Sequence, residues 1–222
     1  MSEALSAREA NSLKIRASLI AACGDLLVEK PIDAVTINNI VEKAGVAKGS
    51  FYNHFPDKET LADAVSEAIF NEVELAVRKS NENVTDPAYK IVRGMCNHVQ
   101  LAVSDPKRAI IMARGIQKVI AGGHPLDRTA KLDITDGIES GRFEQRCEDA
   151  GLIQVMGAVY FTNLRILAQS MSAEEAIELC TKVFTLILCG FGLDEKEAVR
   201  IVSDSARDIV KASPHPERTQ VE

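Results

Sequence analysis

The spacing of apolar residues is helical along almost the whole chain, and it restricts the fold more than any other feature of the sequence. Apolar residues recur three and four positions apart, as in Leu19, Cys23 and Leu26, which would form one face of a first helix over about 12–30. No run of alternating polar and apolar residues indicates a strand. The sequence therefore predicts an all-α fold.

Prolines, glycines and capping residues divide this pattern into separate helices. Asp86-Pro87 and Asp105-Pro106 each place an N-cap before a proline at the first helical position. Ser172 and Glu175 have the spacing of a capping box. The further helices expected from these signals cover about 36–44, 47–54, 57–80, 87–103, 106–121, 126–140, 148–170, 172–190 and 194–212.

Composition narrows the class of protein. The chain has 222 residues, and 46% of them are hydrophobic, which is enough apolar material for a sizeable core. The N-terminus shows no basic start followed by an apolar run. The longest apolar stretches, such as 185–193, fall short of the roughly 20 residues that cross a bilayer. We therefore expect a cytoplasmic protein.

Charge and cysteine content add two constraints. The net charge of −6 lies entirely beyond residue 56, because residues 1–56 contain six basic and six acidic side chains. An acidic body would keep nucleic acid away from all but the N-terminal region. The five cysteines are scattered without a CxxC pair, as expected for reduced and mostly buried thiols. Whether one of them is a redox sensor stays an open question, since the reactivity of a cysteine depends on its thiol pKa.

The segment AGVAKGSFYNHFPDKE, residues 44–59, joins a glycine turn to a cluster of hydrogen-bonding and aromatic side chains. Gly45 follows a helix with apolar Ile40 and Val41, at a position where a helix end favours positive φ. A short helix comes next, so residues 36–54 have the layout of a helix-turn-helix. In this motif the second helix enters the major groove of DNA.

The second helix carries side chains that can read base edges. Lys48 can donate to guanine O6 and N7, and Ser50 can donate or accept. Gly49 has no side chain, so the backbone can come close to the groove wall. Asn53 can pair bidentately with adenine if it points inward.

Neighbouring side chains suit the phosphate backbone and the core. Tyr52 and His54 can bind phosphate oxygens, which position a protein without reading sequence. Lys58 can add a phosphate contact at the start of the next helix. Phe51 and Phe55 are expected to hold the reading helix against the core.

Residues 36–61, TINNIVEKAGVAKGSFYNHFPDKETL, resemble the DNA-binding signature of the tetracycline-repressor (TetR) family. The Ala-Gly-Val turn, the Tyr-x-His-Phe cluster and the Lys-Glu pair fall in the family's order. The resemblance covers about residues 12–65, whereas 80–222 agrees only in length and helical layout. The EKPID loop at 29–33 departs from the family, which usually has a glycine near Lys30 and Pro31.

The resemblance implies a TetR-like architecture. A three-helix helix-turn-helix DNA-binding domain would occupy 1–56 and a connecting helix 57–80. A helical effector-binding and dimerisation domain would follow over 81–212, with a C-terminal tail at 213–222. The function implied is a ligand-responsive transcription regulator, most simply a repressor, that binds a palindromic operator as a homodimer and is released by a small-molecule effector. No cofactor is implied.

The resemblance also carries over DNA-binding positions one by one. The positions that match phosphate-binding residues are Thr36, Tyr52, His54 and Lys58. The positions that match base-reading residues are Lys48, Gly49 and Ser50. Asn38 and Asn53 match positions where members of the family vary and sometimes read bases.

The remaining implied sites lie in the second half of the chain. The family dimerises through its last two long helices, here about 148–170 and 173–190, and both are apolar almost all round. The interface residues expected on them are Met156, Tyr160, Asn163, Leu167, Leu179, Val183, Leu186 and Ile187. The expected effector-pocket residues are Met95, His98, Val99, Met112, Ile116 and Gln117. Core packing would explain the apolar members of that second set equally well.

Nothing in the sequence indicates an enzyme or a metal site. The chain has no GxSxG, P-loop, GxGxxG or HExxH motif. Cys96 and His98 are two residues apart and so do not share a helix face, which argues against metal binding. The alternative function is a small-molecule-binding or thiol-redox-responsive helical dimer with little DNA reading.

Overall fold

The computed structural model describes residues 6–114, 125–144 and 148–211, and all regular structure within those ranges is helical. The all-α prediction is confirmed. A short 3-10 helix, Ile32–Ala34, lies between the first two α-helices. The α-helices are α1 Ala7–Glu29, α2 Ile37–Ala44, α3 Lys48–Tyr52, α4 Lys58–Ser80, α5 Pro87–Ser104, α6 Pro106–Arg114, α7 Pro125–Glu139, α8 Glu148–Gln169, α9 Ala173–Gly190 and α10 Glu195–Ile209.

The ends of these helices lie close to the predicted ones, with two exceptions among the described residues. Helix α1 begins at Ala7 rather than near 12, because Ser6 and Glu9 form a capping box that the sequence reading missed. Helix α10 ends at Ile209 rather than near 212. The expected end of the sixth helix, near 121, lies outside the described residues.

The described residues divide into two compact units. Residues 6–71 and 110–114 form the first unit, and residues 72–109, 125–144 and 148–211 form the second. Helices α4 and α6 each supply residues to both units. The predicted functional limits at 56, 80 and 212 stay predictions.

The first unit is built on α1, α2, α3 and the first half of α4. Its fully buried side chains include Leu19, Ile40, Phe51 and Leu61. The buried residue near the end of α1 is Leu27, whereas Leu26, which the helical pattern predicted, is only half-buried. The packing of α1 on α2 and of α2 on α3 therefore fixes how the short α3 is presented.

The second unit is arranged around α5, which packs against α7, α8, α9 and α10. Its core contains the buried apolar side chains Val92, Met95, Cys96, Val99, Cys180, Phe184, Leu188 and Ile201. Arg142 links the start of α5 to the start of α10, because its guanidinium contacts Asp86 at 3.0 Å and Glu197 at 2.9 Å. Asp86 caps α5 and Glu197 lies in the first turn of α10.

The segment Ala150–Gln169 of α8 is long and apolar enough to cross a membrane, judged by length and composition alone. The sequence reading expected no such segment among its apolar stretches. A helix packed into a protein core passes the same test, and here 33% of the apolar window is buried within the chain.

Candidate nucleic-acid interface

The turn between α2 and α3 is set by capping at both ends of α2. Thr36 Oγ1 accepts the Asn39 N–H at 3.1 Å, and Asn39 Oδ1 accepts the Thr36 N–H at 3.2 Å, which completes a capping box. At the other end Gly45 has φ of 68°, and its N–H reaches the carbonyls of Val41 and Glu42. Glycine adopts this left-handed conformation without strain, so the chain can turn sharply into α3.

Helix α3 has one face in the core and one face in solvent. Phe51 is fully buried and contacts Phe55 at 6.2 Å between ring centroids, as the sequence predicted for these two rings. Tyr52 packs edge-on against Phe51 but is 54% exposed. The aromatic pair in the core therefore orients the hydroxyl-bearing ring outward.

A shallow concave surface brings together part of the predicted DNA-binding set. It is lined by five of the predicted residues, which are Thr36, Asn38, Lys48, Tyr52 and Lys58. The Thr36 hydroxyl uses its acceptor capacity to cap α2, which leaves its O–H available as a donor. Three elements, α2, α3 and the start of α4, therefore contribute to one surface.

The other four predicted residues lie on α3 and the turn after it but do not line that surface. Gly49 and Asn53 are exposed, whereas Ser50 and His54 are half-buried. A Cβ built on Gly49 would meet no atom within 4 Å. The outer side of Gly49 is therefore open space in this structure, with room for another molecule to approach the backbone.

Lys58 has a structural role that the sequence reading missed. Its ammonium donates to the carbonyl oxygens of Ile32 and Val35 at 2.9 Å and of Asp33 at 3.3 Å. An ammonium has three N–H donors, so these bonds occupy all of them. As placed, Lys58 holds the loop after α1, and the predicted phosphate contact would require it to leave these carbonyls.

The concave surface also has carboxylates at its edge that were not predicted from the sequence. Asp33, Asp57 and Glu59 line it together with the two lysines. Asp57 accepts the Thr60 N–H at 2.7 Å, and this hydrogen bond lowers the pKa of the Asp57 carboxyl. Negative charge at the rim would weaken binding to any phosphate backbone, which leaves a larger share of the affinity to base contacts.

A cavity in the second unit contains part of the predicted effector set. Met95 and His98 line it. Val99 instead packs with zero exposure in the core, and Met112 belongs to the first compact unit, so neither forms a wall of this cavity. Ile116 and Gln117 lie outside the described residues.

Several residues of this cavity were not predicted, and the most informative is Glu74. Glu74 is only 7% exposed, although it is a charged residue on α4, beside the apolar stripe that contains Val73 and Val77. A charged residue adjoining an apolar stripe is the signal that could have identified it from the sequence. Met156, predicted for the interface, also lines the cavity.

Among the residues predicted for the interface, one on α8 is buried within the chain, and the interface itself stays a prediction. Asn163 is buried inside the chain, because α8 packs its neighbours Val159 and Ile166 into the core. The exposed apolar residues of α8 are Ile153 and Phe161, which were not predicted. Tyr160, Leu167, Leu179, Val183 and Ile187 are half-buried, and Leu186 is exposed.

The described cysteines have the environment of inert thiols. Burial raises the pKa of Cys23 and of Cys180 to about 12 and that of Cys96 well above its usual value. The pKa of Cys189 is raised as well. Reactive cysteines need the opposite shift, so these four residues do not favour the redox alternative. Cys147 lies outside the described residues.

Comparison with known proteins connects the first unit to one family by its sequence. Residues 19–65 match the family described as bacterial regulatory proteins, tetR family. The HTH-type transcriptional regulator EthR of Mycobacterium tuberculosis is 25% identical over 69 residues, 31% of this chain and 32% of that protein. The HTH-type transcriptional repressor KstR2 of Rhodococcus jostii is 34% identical over 50 residues, 22% of this chain and 24% of that protein.

The likeness to solved structures extends over most of the chain. The crystal structure of RolR in complex with resorcinol is 24% identical with a TM-score of 0.65, and the match covers 88% of this chain and 96% of that one. This likeness shows a shared fold. In sequence, this chain matches only about a third of the length of the first curated relatives. The helix-turn-helix match over residues 19–65 and the shared fold both support a regulator of the tetR family.

Proposed function

We propose that this protein is a transcription regulator that binds a palindromic operator as a homodimer, represses from it, and leaves it when a small molecule binds the second unit. The observation that carries this proposal is the concave surface on which Thr36, Asn38, Lys48 and Tyr52 meet. Phe51 and Phe55 are buried behind it, so the outward side chains are free for DNA.

The DNA-binding residues divide by chemistry. Lys48 and Asn38 are exposed and carry the donors and acceptors that distinguish base pairs in the major groove. The hydroxyls of Thr36 and Tyr52, with His54, suit phosphate oxygens, which set the register. Lys58 acts indirectly by holding the loop after α1. Gly49, Ser50 and Asn53 complete the face that approaches DNA.

The homodimer is supported by an apolar stripe on α8. Ile153 and Phe161 are 75% and 70% exposed, and Gly157 lies between them one helical turn from each. Leu186 on α9 is 72% exposed. Exposed apolar side chains on adjoining helices, with a glycine for close approach, suit a self-complementary two-fold contact. A two-fold dimer implies a palindromic operator.

The small-molecule effector is supported by the cavity in the second unit and by RolR, a protein of the same fold that was crystallised with resorcinol. A ligand can release DNA only if it binds the DNA-free conformation more tightly than the bound one. Repression is supported by KstR2, which is described as a repressor. A regulator of this kind acts in the cytoplasm.

The proposal is tested by selecting sheared genomic DNA on the purified protein at physiological salt and sequencing the bound fragments. We expect a palindrome to be enriched, with an affinity that falls steeply as salt is raised. Lys48→Ala should relax the preference at one base position, whereas Tyr52→Phe should weaken binding to all sequences alike. Uniform recovery of the genome, or no recovery at all, would contradict the proposal.

A further inference from the structure

The cavity in the second unit lies among α4, α5, α7 and α8. Most of its wall is apolar, from residues such as Val77, Met95, Val155 and Val159. About 50 Å³ is open to the centres of water-sized molecules, and the unfilled space including the open mouth is about 480 Å³. The larger figure reaches into solvent. Pockets that bind small molecules span roughly 300–1,000 Å³, so the enclosed part is small, and a ligand would have to be compact and extend into the mouth.

One buried oxygen on this wall lacks a hydrogen-bond partner. Glu74 Oε1 accepts from Arg78 Nε at 2.9 Å and from Thr129 Oγ1 at 2.7 Å. Glu74 Oε2 is fully buried and, within the described part of the chain, has no donor. A buried acceptor without a donor costs free energy, so a ligand that brings a donor to this oxygen would be stabilised by it.

Three carboxylates and two cations lie around the cavity, and most of their charge is paired. Glu74 pairs with Arg78, and Lys90 lies 4.0 Å from Asp133 and 3.9 Å from Asp136. Burial raises the pKa of Asp133 to about 6, so this carboxyl remains mostly ionised at pH 7. His98 is the remaining titratable group on the wall. The excess of one carboxylate disfavours an anionic ligand, and the unpartnered Oε2 is matched by a ligand that supplies a hydrogen-bond donor.

We propose that Glu74 Oε2 recognises a hydroxyl or N–H of a small, uncharged and mainly apolar ligand bound in this cavity. The apolar walls would hold the body of the ligand, and the carboxylate oxygen would select ligands with a donor at one end. This inference rests on the effector role proposed above and names the chemistry of that effector.

The test uses four small aromatic probes, of which benzylammonium is the charged one. Phenol carries a donor, fluorobenzene carries none, and acetophenone offers only an acceptor. Binding is followed by NMR, through the methyl signals of Met95, Val77 and Val155. We expect phenol to shift these signals with an affinity roughly 10- to 100-fold above that of fluorobenzene, because hydrogen bonds to charged groups are the strong ones. Benzylammonium should not exceed phenol.

Glu74→Gln is the decisive variant. Its amide can still accept from Arg78 and Thr129, while its NH₂ group replaces the unpartnered acceptor with a donor. The preference should therefore reverse, with acetophenone gaining affinity and phenol losing it. Glu72→Gln is the matched control: it makes the same charge change on the same helix, but Glu72 is exposed, pairs with Arg108 at 2.6 Å and does not line the cavity.

Three outcomes would overturn the inference. They are phenol binding no better than fluorobenzene, benzylammonium binding best, and a Glu74→Gln variant with an unchanged preference, which would mean that water satisfies Oε2. These titrations use the free protein, so they are independent of the operator selection. Operator binding without phenol binding would reject the donor site and leave the regulator proposal standing. Phenol binding that leaves operator affinity unchanged would keep the site and reject its effector role.

Discussion

Gly49 is placed so that its role in folding and its proposed role in DNA binding can be separated. No atom lies within 4 Å of a Cβ at this position, and alanine favours helix by about 0.8–1 kcal/mol over glycine. Gly49→Ala should therefore leave the free energy of unfolding unchanged or slightly higher. It should weaken operator binding by roughly tenfold, since a methyl group on the reading helix would meet the groove wall. Urea unfolding and fluorescence anisotropy measure the two effects.

The matched control is Gly24→Ala on α1, whose Cβ would make an ordinary 3.5 Å contact with Val65. It raises helix propensity in the same unit but lies away from the concave surface, so operator affinity should not change. Wild-type operator affinity in Gly49→Ala would show that α3 does not approach DNA at this point.

Lys58 gives a second prediction at the residue scale. Lys58→Met keeps the length of the side chain but removes the donors that hold the carbonyls of Ile32, Asp33 and Val35. We expect the free energy of unfolding to fall by about 1–3 kcal/mol, because buried acceptors lose a charged donor. Lys48→Met, the control, should stay within about 0.5 kcal/mol of wild type in a urea titration. If both variants were equally stable, Lys58 would not be holding this loop, and the phosphate-binding role predicted from the sequence would stand.

At the scale of the element, the end of α7 depends on a close contact with an aromatic ring. A Cβ on Gly137 would lie 2.1 Å from Cδ2 of Phe143, and that ring packs edge-on against Phe191 at 4.9 Å. Gly137→Ala should therefore lower the free energy of unfolding by about 1–3 kcal/mol through overpacking. Gly94→Ala on α5, whose Cβ would lie 3.7 Å from Val77, should not be destabilising in thermal unfolding. A harmless Gly137→Ala would mean that Phe143 can move aside.

Two properties belong to the whole molecule, and the first is the dependence of stability on pH. Burial raises the pKa of Asp133 from 3.8 to about 6, so the folded protein binds this proton more tightly than the unfolded chain does. Protonation of Asp133 therefore stabilises the fold fully below about pH 4, and that contribution is lost as the pH rises to about 6. Asp133→Asn should be more stable than wild type at pH 7 by about 1–3 kcal/mol and equal to it near pH 4.

Denaturant titrations at both pH values measure this difference. Asp136→Asn is the control, because Asp136 is a more exposed carboxylate one helical turn away. An Asp133→Asn variant that is less stable than wild type at pH 7 would show that the ion pair with Lys90 outweighs the cost of burial.

The second property is the proposed dimer. Phe161→Lys would place a charge in the apolar stripe on α8, and an unpaired buried charge costs about 3–5 kcal/mol. The dissociation constant of the dimer should rise by at least about 100-fold in sedimentation equilibrium. Leu132→Lys is the control, since Leu132 is also an exposed apolar side chain but lies on α7. A dimer that tolerates Phe161→Lys would place the interface elsewhere.

The sequence by itself determined the helices and the helix-turn-helix signature, because both depend on local signals. Apolar spacing, Asp-Pro and Ser-x-x-Glu caps act within one or two helical turns, and Gly45 meets a requirement of its own backbone. The inward position of Phe51 and the outward position of Tyr52 also followed from the helical period. Such features are readable from neighbours in the chain.

The tertiary structure alone decided the features that join distant residues. The ammonium of Lys58 reaches carbonyls 23 to 26 residues away, and Glu74 is paired with Thr129 across 55 residues. The face of α8 that stays exposed depends on which of its residues the core covers, and the burial of Asn163 was not foreseen from the sequence. Burial and partnership are properties of packing, because a side chain's neighbours in space are set by all helices together, and no local pattern specifies them.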